Sequence, residues 1–505
     1  MYKSVAKLLG AVPIIMNDPA RDKAIMEKNK SQSVKVDNFS STIGLAANPG
    51  FQSTLSIASK GLPQDDKPYN PFEHRNVQHP NTTLGSILHL LKSCLGSGIL
   101  AMPAAFKNSG LVAGVIGTIL AGFVCTHTVH ILVKTSQQIC VEAKRPSLSF
   151  AETCGAAFMY GPKRLRSWSG AIQKFVDYSL SVTYLSVLCV YVVFIGSSLK
   201  EALDVYMPGY QLSIQAYCAL SLVPLVVVCQ IRNLKYLVPF SAIANALIFL
   251  VFAITLYYMF FDLPPVSDRV MVANVSTWPL FLSTVIFAME GIGVVMPVEN
   301  EMANPRRFLG CPGVLNTSMF IVITLYGVFG FFGYVQFGDD VKGSVTLNLP
   351  QDEIIAQSAK LIMAFVIYLT YALQFYVPME IITRMLATRK SNSYENLIQI
   401  TIRTCLVTLT VAIGAAFPNL ELVIGLVGAI FFSTLGLFIP VAVQTIYLWE
   451  KDFGRFNYIL WKNIIIAIIA IIALVSGAYV SIDGILEDFG RHTVINIVDE
   501  NSTVT

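Results

Sequence analysis

The stretch HLLKSCLGSGILAMP, residues His89–Pro103, interrupts the first long apolar segment of the chain with Gly96-Ser97-Gly98. A second stretch further along, FAMEGIGVVMP at Phe287–Pro297, is interrupted in the same way by Gly291-Ile292-Gly293. In both, the glycines are followed by a short apolar run, a methionine and a proline. Two interrupted helices in corresponding halves of a membrane protein are typical of the substrate site of a secondary transporter. The pair of breaks is therefore the predicted binding site.

The composition of the whole chain indicates a membrane protein. The 505 residues are 54% hydrophobic and 13% charged, whereas soluble domains are roughly 25% charged. Apolar runs of about twenty residues recur, and each is long enough to cross a bilayer core. The sequence predicts an all-α polytopic protein with eleven transmembrane helices, of which helices 1 and 6 are broken. The predicted spans are 84–106, 111–133, 171–198, 213–231, 238–261, 278–298, 313–336, 358–383, 399–417, 421–448 and 462–483.

Three domains follow from this count of spans. Residues 1–83 form a polar N-terminal tail that is expected to be disordered, residues 84–483 the transmembrane domain, and residues 484–505 a short C-terminal tail. Lysine and arginine are concentrated in the loops on the side of the N-terminus, which places that terminus in the cytoplasm. Eleven spans then put the C-terminus on the extracellular or luminal side. Sequons at Asn274 and Asn501 both fall on that outer side, so both are predicted glycosylation sites.

The opposite directions of the two broken spans determine which groups meet at their breaks. The first span runs outward, so its inner half ends near Leu95 with unpaired carbonyls and its outer half begins near Gly98 with free N–H groups. The sixth span runs inward and offers carbonyls around Phe287–Glu290 and N–H groups near Gly293. A zwitterion matches this arrangement, with its carboxylate on the N–H ends and its ammonium on the carbonyls.

The predicted substrate-binding residues are Cys94, Gly96, Ser97, Gly98, Phe287, Glu290, Gly291 and Gly293. Glycine at a break permits an unwound turn and lets a substrate approach the backbone. Close packing between helices is the alternative explanation for these glycines. Tyr184 and Tyr371 are further candidates for the walls of a pocket, although aromatic side chains in such an apolar chain commonly serve core packing.

Three ionisable residues lie within the broken helices, where charge is costly and indicates function. His89 can take up and release a proton between pH 5 and 8, which makes it the candidate for proton coupling; a neutral histidine bonded to a neighbouring helix is the alternative. Lys92 shares a helix face with His89 and is predicted to act in a gate or an ion pair. Glu290 could bind the substrate ammonium, pair with Lys92 or carry a proton, and these alternatives stay open. Glu299 is predicted to belong to an inner gate or anchor.

Several other function classes find no support in the sequence. The chain has no Gly-Lys dipeptide and hence no Walker A loop for ATP. No cysteine pair stands at metal-ligand spacing, so no metal site and no cofactor are predicted, and the chain is not expected to be an enzyme. Its net charge of +4 gives no indication of nucleic acid. The energy for transport must then come from an ion gradient, or the process is passive.

Five motifs occur in a fixed order along the membrane domain. They are Ile87–Lys92, Gly96–Pro103, Met289–Met302, Gly343–Pro350 and Thr370–Pro378. In these motifs the chain resembles the proton-coupled amino acid transporters, the PAT branch of the amino acid/auxin permease family, from Thr83 to about Tyr479. Vertebrate members carry an outer disulfide for which the 200–212 loop has no cysteine, so the chain resembles the invertebrate members.

The resemblance implies a LeuT-type fold, in which spans one to five and six to ten form a 5+5 inverted repeat with one extra helix. It implies symport of small neutral amino acids such as alanine, glycine and proline with protons, by alternating access, and it assigns proton coupling to His89. Met289 stands where the family usually has phenylalanine, which could alter the shape of the pocket.

Two alternatives to proton symport remain open at this point. One is a sodium-coupled amino acid transporter, because the backbone sites of this fold can hold an ion. The other is an amino-acid sensor in nutrient signalling, with signalling partners on the N-terminal tail. The expected partners are otherwise small neutral amino acids, protons and the lipid bilayer. Both the plasma membrane and the endolysosomal membrane are compatible with the sequence.

Overall fold

The computed structural model describes residues 69–75, 77, 80–206, 212–232, 234–289, 291–386 and 395–502. The chain divides into two units, Met1–Tyr69 and Asn70–Thr505, and the elements below all belong to the second. The predicted disordered tail up to residue 68 and the side chain of Glu290 lie outside the described residues.

The second unit is built of α-helices joined by short turns. They are α1 Thr83–Cys94, α2 Ser97–Ser109, α3 Leu111–Glu142, α4 Phe150–Met159, α5 Ser169–Leu203, α6 Ile214–Leu220, α7 Leu222–Cys229, α8 Leu234–Phe260, α9 Trp278–Ala288, α10 Ile292–Asn300, α11 Val314–Phe337, α12 Ile354–Leu386, α13 Glu395–Ala416, α14 Leu420–Val427, α15 Ile439–Leu448 and α16 Tyr458–Ser502. A π-helical segment, Gly428–Phe438, joins α14 to α15 and makes them one long element.

The helices confirm a polytopic membrane protein but give a lower count of spans than the sequence. Within the described residues, nine helical segments are long and apolar enough to cross a membrane, and the bent pair α1–α2 makes ten. The predicted fourth span, 213–231, consists of the short helices α6 and α7. Their segment Ile214–Cys229 is about 24 Å long at 1.5 Å per residue, which is shorter than the roughly 30 Å core of a bilayer. The total of eleven spans and the inverted repeat remain predictions.

The last helix is longer than the predicted span. It continues to Ser502 rather than ending at 483. Asn419 donates from Nδ2 to Asp488 Oδ2 at 2.7 Å, and the Phe417 ring meets the Phe489 ring edge-on at 5.5 Å. The helix is therefore held against the turn between α13 and α14 by contacts that a hydropathy pattern does not register.

The broken helices lie at the centre of the bundle. Nearly every residue of α2 and most residues of α9 are buried, and α2 packs directly against α9 and α11. The peripheral helices α3, α8, α13 and α16 instead expose large apolar side chains, such as Phe123, Phe249, Leu409 and Ile472. An apolar exterior around a buried centre is the arrangement expected when the surrounding solvent is lipid.

Candidate functional site

The first break lies where the sequence places it. Helix α1 ends at Cys94, α2 begins at Ser97, and their axes differ by 52°. Gly96 has non-helical dihedral angles (φ −121°, ψ −140°), and none of the described side chains caps the N-terminus of α2. The first N–H groups of α2 are thus left without an intrahelical or side-chain acceptor.

The second break has the same form. Helix α9 ends at Ala288 and α10 begins at Ile292, with Gly291 in a non-helical conformation (φ −144°, ψ 4°) before it. Again, none of the described side chains caps the helix start. Met289, next to this break, is buried and lies towards α3, where a Cβ on Gly122 would be 3.2 Å from its sulfur.

Glycine is required where the two breaks touch. A Cβ on Gly98 would lie 2.8 Å from the Cα of Ala288 and 3.2 Å from its carbonyl oxygen. This contact is with backbone, which cannot rotate away as a side chain can. The absence of a side chain at Gly98 therefore brings the positive start of α2 against the negative end of α9.

A cavity of about 90 Å³ lies between the breaks. Its lining includes every predicted substrate-binding residue that the structure describes, namely Cys94, Gly96, Ser97, Gly98, Phe287, Gly291 and Gly293. Glycine at 96 leaves open space around its Cα, whereas a Cβ on Gly293 would collide with the hydroxyl of Tyr184. The two predicted halves of the site are thus adjacent in space.

Other helices complete the cavity wall. Tyr184 and Tyr191 contribute from α5, Gln374 from α12 and Phe432 from the π-helical segment. The Tyr191 hydroxyl lies beside the side chains of Gln374 and Ser97. Gln374 was not among the residues predicted from the sequence, although a polar side chain inside an apolar span is a candidate for a functional residue. Tyr184 is one of the two aromatic candidates that the sequence predicts for the pocket wall. Tyr191 was not singled out, since it is one of 21 tyrosines in the chain.

Tyr371, the other aromatic candidate, has a packing role. Its side chain is fully buried, and its hydroxyl forms a hydrogen bond with the Thr410 hydroxyl at 2.7 Å. It is not among the residues that line the cavity.

Tyr326 connects the two breaks from α11. Its fully buried hydroxyl lies 2.5 Å from the carbonyl oxygen of Cys94 and 2.7 Å from that of Ala288. These are the last residues of α1 and α9, so the hydroxyl meets both carbonyl ends that the sequence assigns to the substrate ammonium.

His89 and Lys92 share the exposed face of α1, opposite the buried Ser86, Leu90 and Cys94. Neither lines the cavity. The Lys92 ammonium donates to the Ser241 hydroxyl on α8 at 2.6 Å. Lys92 therefore contacts a neutral hydroxyl. Its predicted ion pair with Glu290 stays a prediction, because Glu290 lies outside the described residues.

The C-terminal end of α10 is held by a buried ion pair. Glu299 is 1% exposed and accepts from Arg75 Nη2 at 3.0 Å and from Gln137 Nε2 at 2.8 Å; Arg75 itself is 6% exposed. Nearby, the Asn81 N–H donates to the Glu301 carbonyl at 2.8 Å. The segment before α1, which the sequence assigns to the N-terminal tail, is thus bonded to the end of the broken sixth span, which consists of α9 and α10.

A cavity at two interrupted helices, inside a bundle with an apolar exterior, is the architecture of a membrane transporter rather than of an enzyme. Residues 79–483 match the model of the family described as transmembrane amino acid transporter protein, and the chain belongs to this family.

Relatives in two invertebrates are similar over most of the chain. The proton-coupled amino acid transporter-like protein pathetic of Drosophila melanogaster is 41% identical, over 88% of this chain and 93% of its own. The probable amino acid transporter skat-1 of Caenorhabditis elegans is 25% identical, over 81% of this chain and 91% of its own. Among solved structures, MhsT in complex with L-phenylalanine matches with a TM-score of 0.46 at 12% identity, over 79% of this chain and all of that one.

Proposed function

We propose that this protein transports small neutral amino acids, such as alanine, glycine and proline, together with protons by alternating access. The observation that carries the proposal is the cavity between the N–H ends of α2 and α10 and the carbonyl ends of α1 and α9. These helix ends have opposite partial charges, as do the two ends of an amino acid.

The size and lining of the cavity favour a small neutral side chain. Its volume of about 90 Å³ is well below the roughly 300–1,000 Å³ of drug-sized sites. Phe287 and Phe432 both line it, and their rings are tilted by 50° to each other with centroids 5.6 Å apart. Every described lining residue is uncharged, so a charged side chain would find no oppositely charged partner among the described residues, and burial of an unpaired charge is costly.

Uptake measurements in a surface-expressing cell test this proposal directly. We expect inward current with alanine, glycine or proline that grows as the outside pH falls and persists when sodium is replaced at constant pH. A strict sodium requirement would favour the sodium-coupled alternative. A complete lack of uptake would contradict transport and favour an amino-acid sensor.

We assign proton coupling to His89, supported by the similarity to a proton-coupled amino acid transporter-like protein of Drosophila and by the imidazole on the exposed face of α1. Replacing His89 with alanine should remove the stimulation of uptake by acidic medium while leaving measurable uptake, because the proposed coupling group is lost without altering the cavity wall. The measurement is alanine uptake across the range pH 5 to 8. His130→Ala on α3, outside the cavity lining, is the matched control and should keep the wild-type pH profile. An unchanged profile in H89A would exclude His89 as the coupling group.

The proposed orientation has the N-terminus in the cytoplasm and the C-terminus outside or in a lumen, in the plasma membrane or the endolysosomal membrane. Asn274 is exposed in the segment before α9, and this segment bonds to the turn between α2 and α3, where the Ala273 N–H donates to the Ser109 carbonyl.

N-glycosylation at Asn274 tests this orientation. Replacing Asn274 with glutamine should remove a glycan and increase electrophoretic mobility, since an acceptor on the outer side is accessible to the modifying enzyme. Asn316→Gln, at the predicted inner end of α11, is the control and should leave mobility unchanged. Loss of a glycan in N316Q alone would reverse the proposed orientation. The predicted acceptor Asn501 lies where side chains are not described.

A further inference from the structure

The strongest unassigned feature is the point where the two broken helices meet on one side chain. Tyr326 has no exposed surface, and its hydroxyl lies within 2.7 Å of the carbonyl oxygens of both Cys94 and Ala288. A tyrosine hydroxyl has a single hydrogen. That hydrogen is therefore shared between two acceptors from different helices.

Both acceptors belong to negative helix ends. Cys94 is the last residue of α1 and Ala288 the last residue of α9, and the final carbonyls of a helix carry a partial negative charge. The Cys94 carbonyl also accepts the Gly96 N–H at 2.8 Å, so the Tyr326 hydroxyl is its second donor. Two such ends that converge on one point repel each other unless something positive or hydrogen-donating lies between them. In broken-helix transporters, carbonyls of this kind coordinate the coupling ion.

We propose that Tyr326 is a positioning residue whose neutral hydroxyl takes the place of a monovalent cation where the negative ends of α1 and α9 meet. The hydroxyl supplies a shared hydrogen to the two carbonyls without a metal ion and keeps the breaks in contact. It also leaves the substrate ammonium to the other acceptors around the cavity. The transport experiment below rests on the proposed function, because it measures amino acid uptake. The neutral hydroxyl gives a physical reason why that uptake would not need sodium.

The contact at Gly98 shows why the position of this hydroxyl matters. The start of α2 already touches the backbone of Ala288, so the end of α9 has no room to retreat from α1 on that side. A change in what lies between the carbonyls of Cys94 and Ala288 would shift the breaks relative to each other and disturb the cavity.

Tyr326→Phe in the full chain tests the proposal, because it removes only the hydroxyl. We expect sodium-independent alanine uptake in the wild type, and in Y326F a fall of about tenfold in sodium-free buffer, the size expected when a buried carbonyl loses a donor. Sodium should restore part of the lost uptake in Y326F by occupying the vacated point. Tyr334→Phe on the same helix is the control: its hydroxyl donates to Asp339 Oδ1 at 3.0 Å, so its cation response should match the wild type.

A second measurement does not depend on transport. The thermal unfolding temperature of purified Y326F should rise in sodium chloride relative to N-methylglucamine chloride, whereas those of the wild type and Y334F should not. Tyr326→Met, which keeps an apolar filler without a donor, should behave like Y326F. The proposal is overturned if the wild type requires sodium, or if the Tyr326 variants respond to sodium no more than Y334F. If the wild type takes up no amino acid, the proposed function fails, and the unfolding temperatures still decide the role of Tyr326.

Discussion

Replacing Gly98 with valine is expected to abolish amino acid uptake. A Cβ at this position would lie 2.8 Å from the Cα and 3.1 Å from the Cβ of Ala288, closer than van der Waals contact allows. The obstacle is the backbone at the end of α9, so relief requires the two breaks to separate. Inserting atoms into a packed interior costs about 1–3 kcal/mol, and here the displacement falls on the cavity itself. Labelled alanine uptake, normalised to protein at the cell surface, measures the effect.

Gly327→Ala is the matched control for this substitution. Gly327 also lies within a membrane-spanning helix, α11, and an added Cβ there meets nothing within 4 Å. Uptake in G327A should equal that of the wild type. If G98V reached the surface and transported alanine normally, the close contact of the breaks would have no part in transport.

Replacing Arg75 with alanine is expected to produce the largest loss of stability. Arg75 and Glu299 are almost completely buried, and the substitution leaves a carboxylate without its cationic partner. Breaking a buried pair in this way costs about 3–5 kcal/mol. The residual bond from Gln137 does not neutralise the charge. We expect a lower thermal unfolding temperature in detergent and reduced uptake, because the C-terminal end of α10 loses its attachment.

Two comparisons show whether burial of the pair is the cause. Arg145 and Glu152 form an exposed pair, with side chains 53% and 32% accessible, so Arg145→Ala should cost about 0–1 kcal/mol. The double substitution Arg75→Met with Glu299→Leu removes both charges and should recover most of the stability lost in R75A. Equal unfolding temperatures for R75A and R145A would show that the buried pair contributes no more than an exposed one.

Local sequence was sufficient to locate both breaks. Gly96 and Gly291 end one helical segment and precede the next because glycine takes non-helical dihedral angles at little cost, and the apolar runs on either side are long enough for a bilayer. Opposite helix directions then predicted which backbone groups face each break. His89 and Lys92 share an exposed face, as their spacing predicted, since residues three apart lie on the same side of a helix.

Partners distant in sequence escaped prediction. Lys92 contacts Ser241 rather than a described carboxylate, and Arg75, assigned to a disordered tail, is buried against Glu299. The continuation of α16 to Ser502 likewise depends on contacts such as that between Asn419 and Asp488. Each of these contacts depends on which helix surfaces meet after folding, and the hydropathy pattern of the sequence does not specify those surfaces.

The sequence by itself determined that this chain crosses a membrane and that two of its helices are broken by glycine, because burial in lipid and backbone freedom are properties of short segments. Only the tertiary structure decided what closes the space between the breaks. Gly98 touches Ala288, and Tyr326 shares one hydrogen between the carbonyls of Cys94 and Ala288. The physical reason is that a hydrogen bond between separate helices depends on distances of a few tenths of an ångström, which the packing of the whole bundle sets.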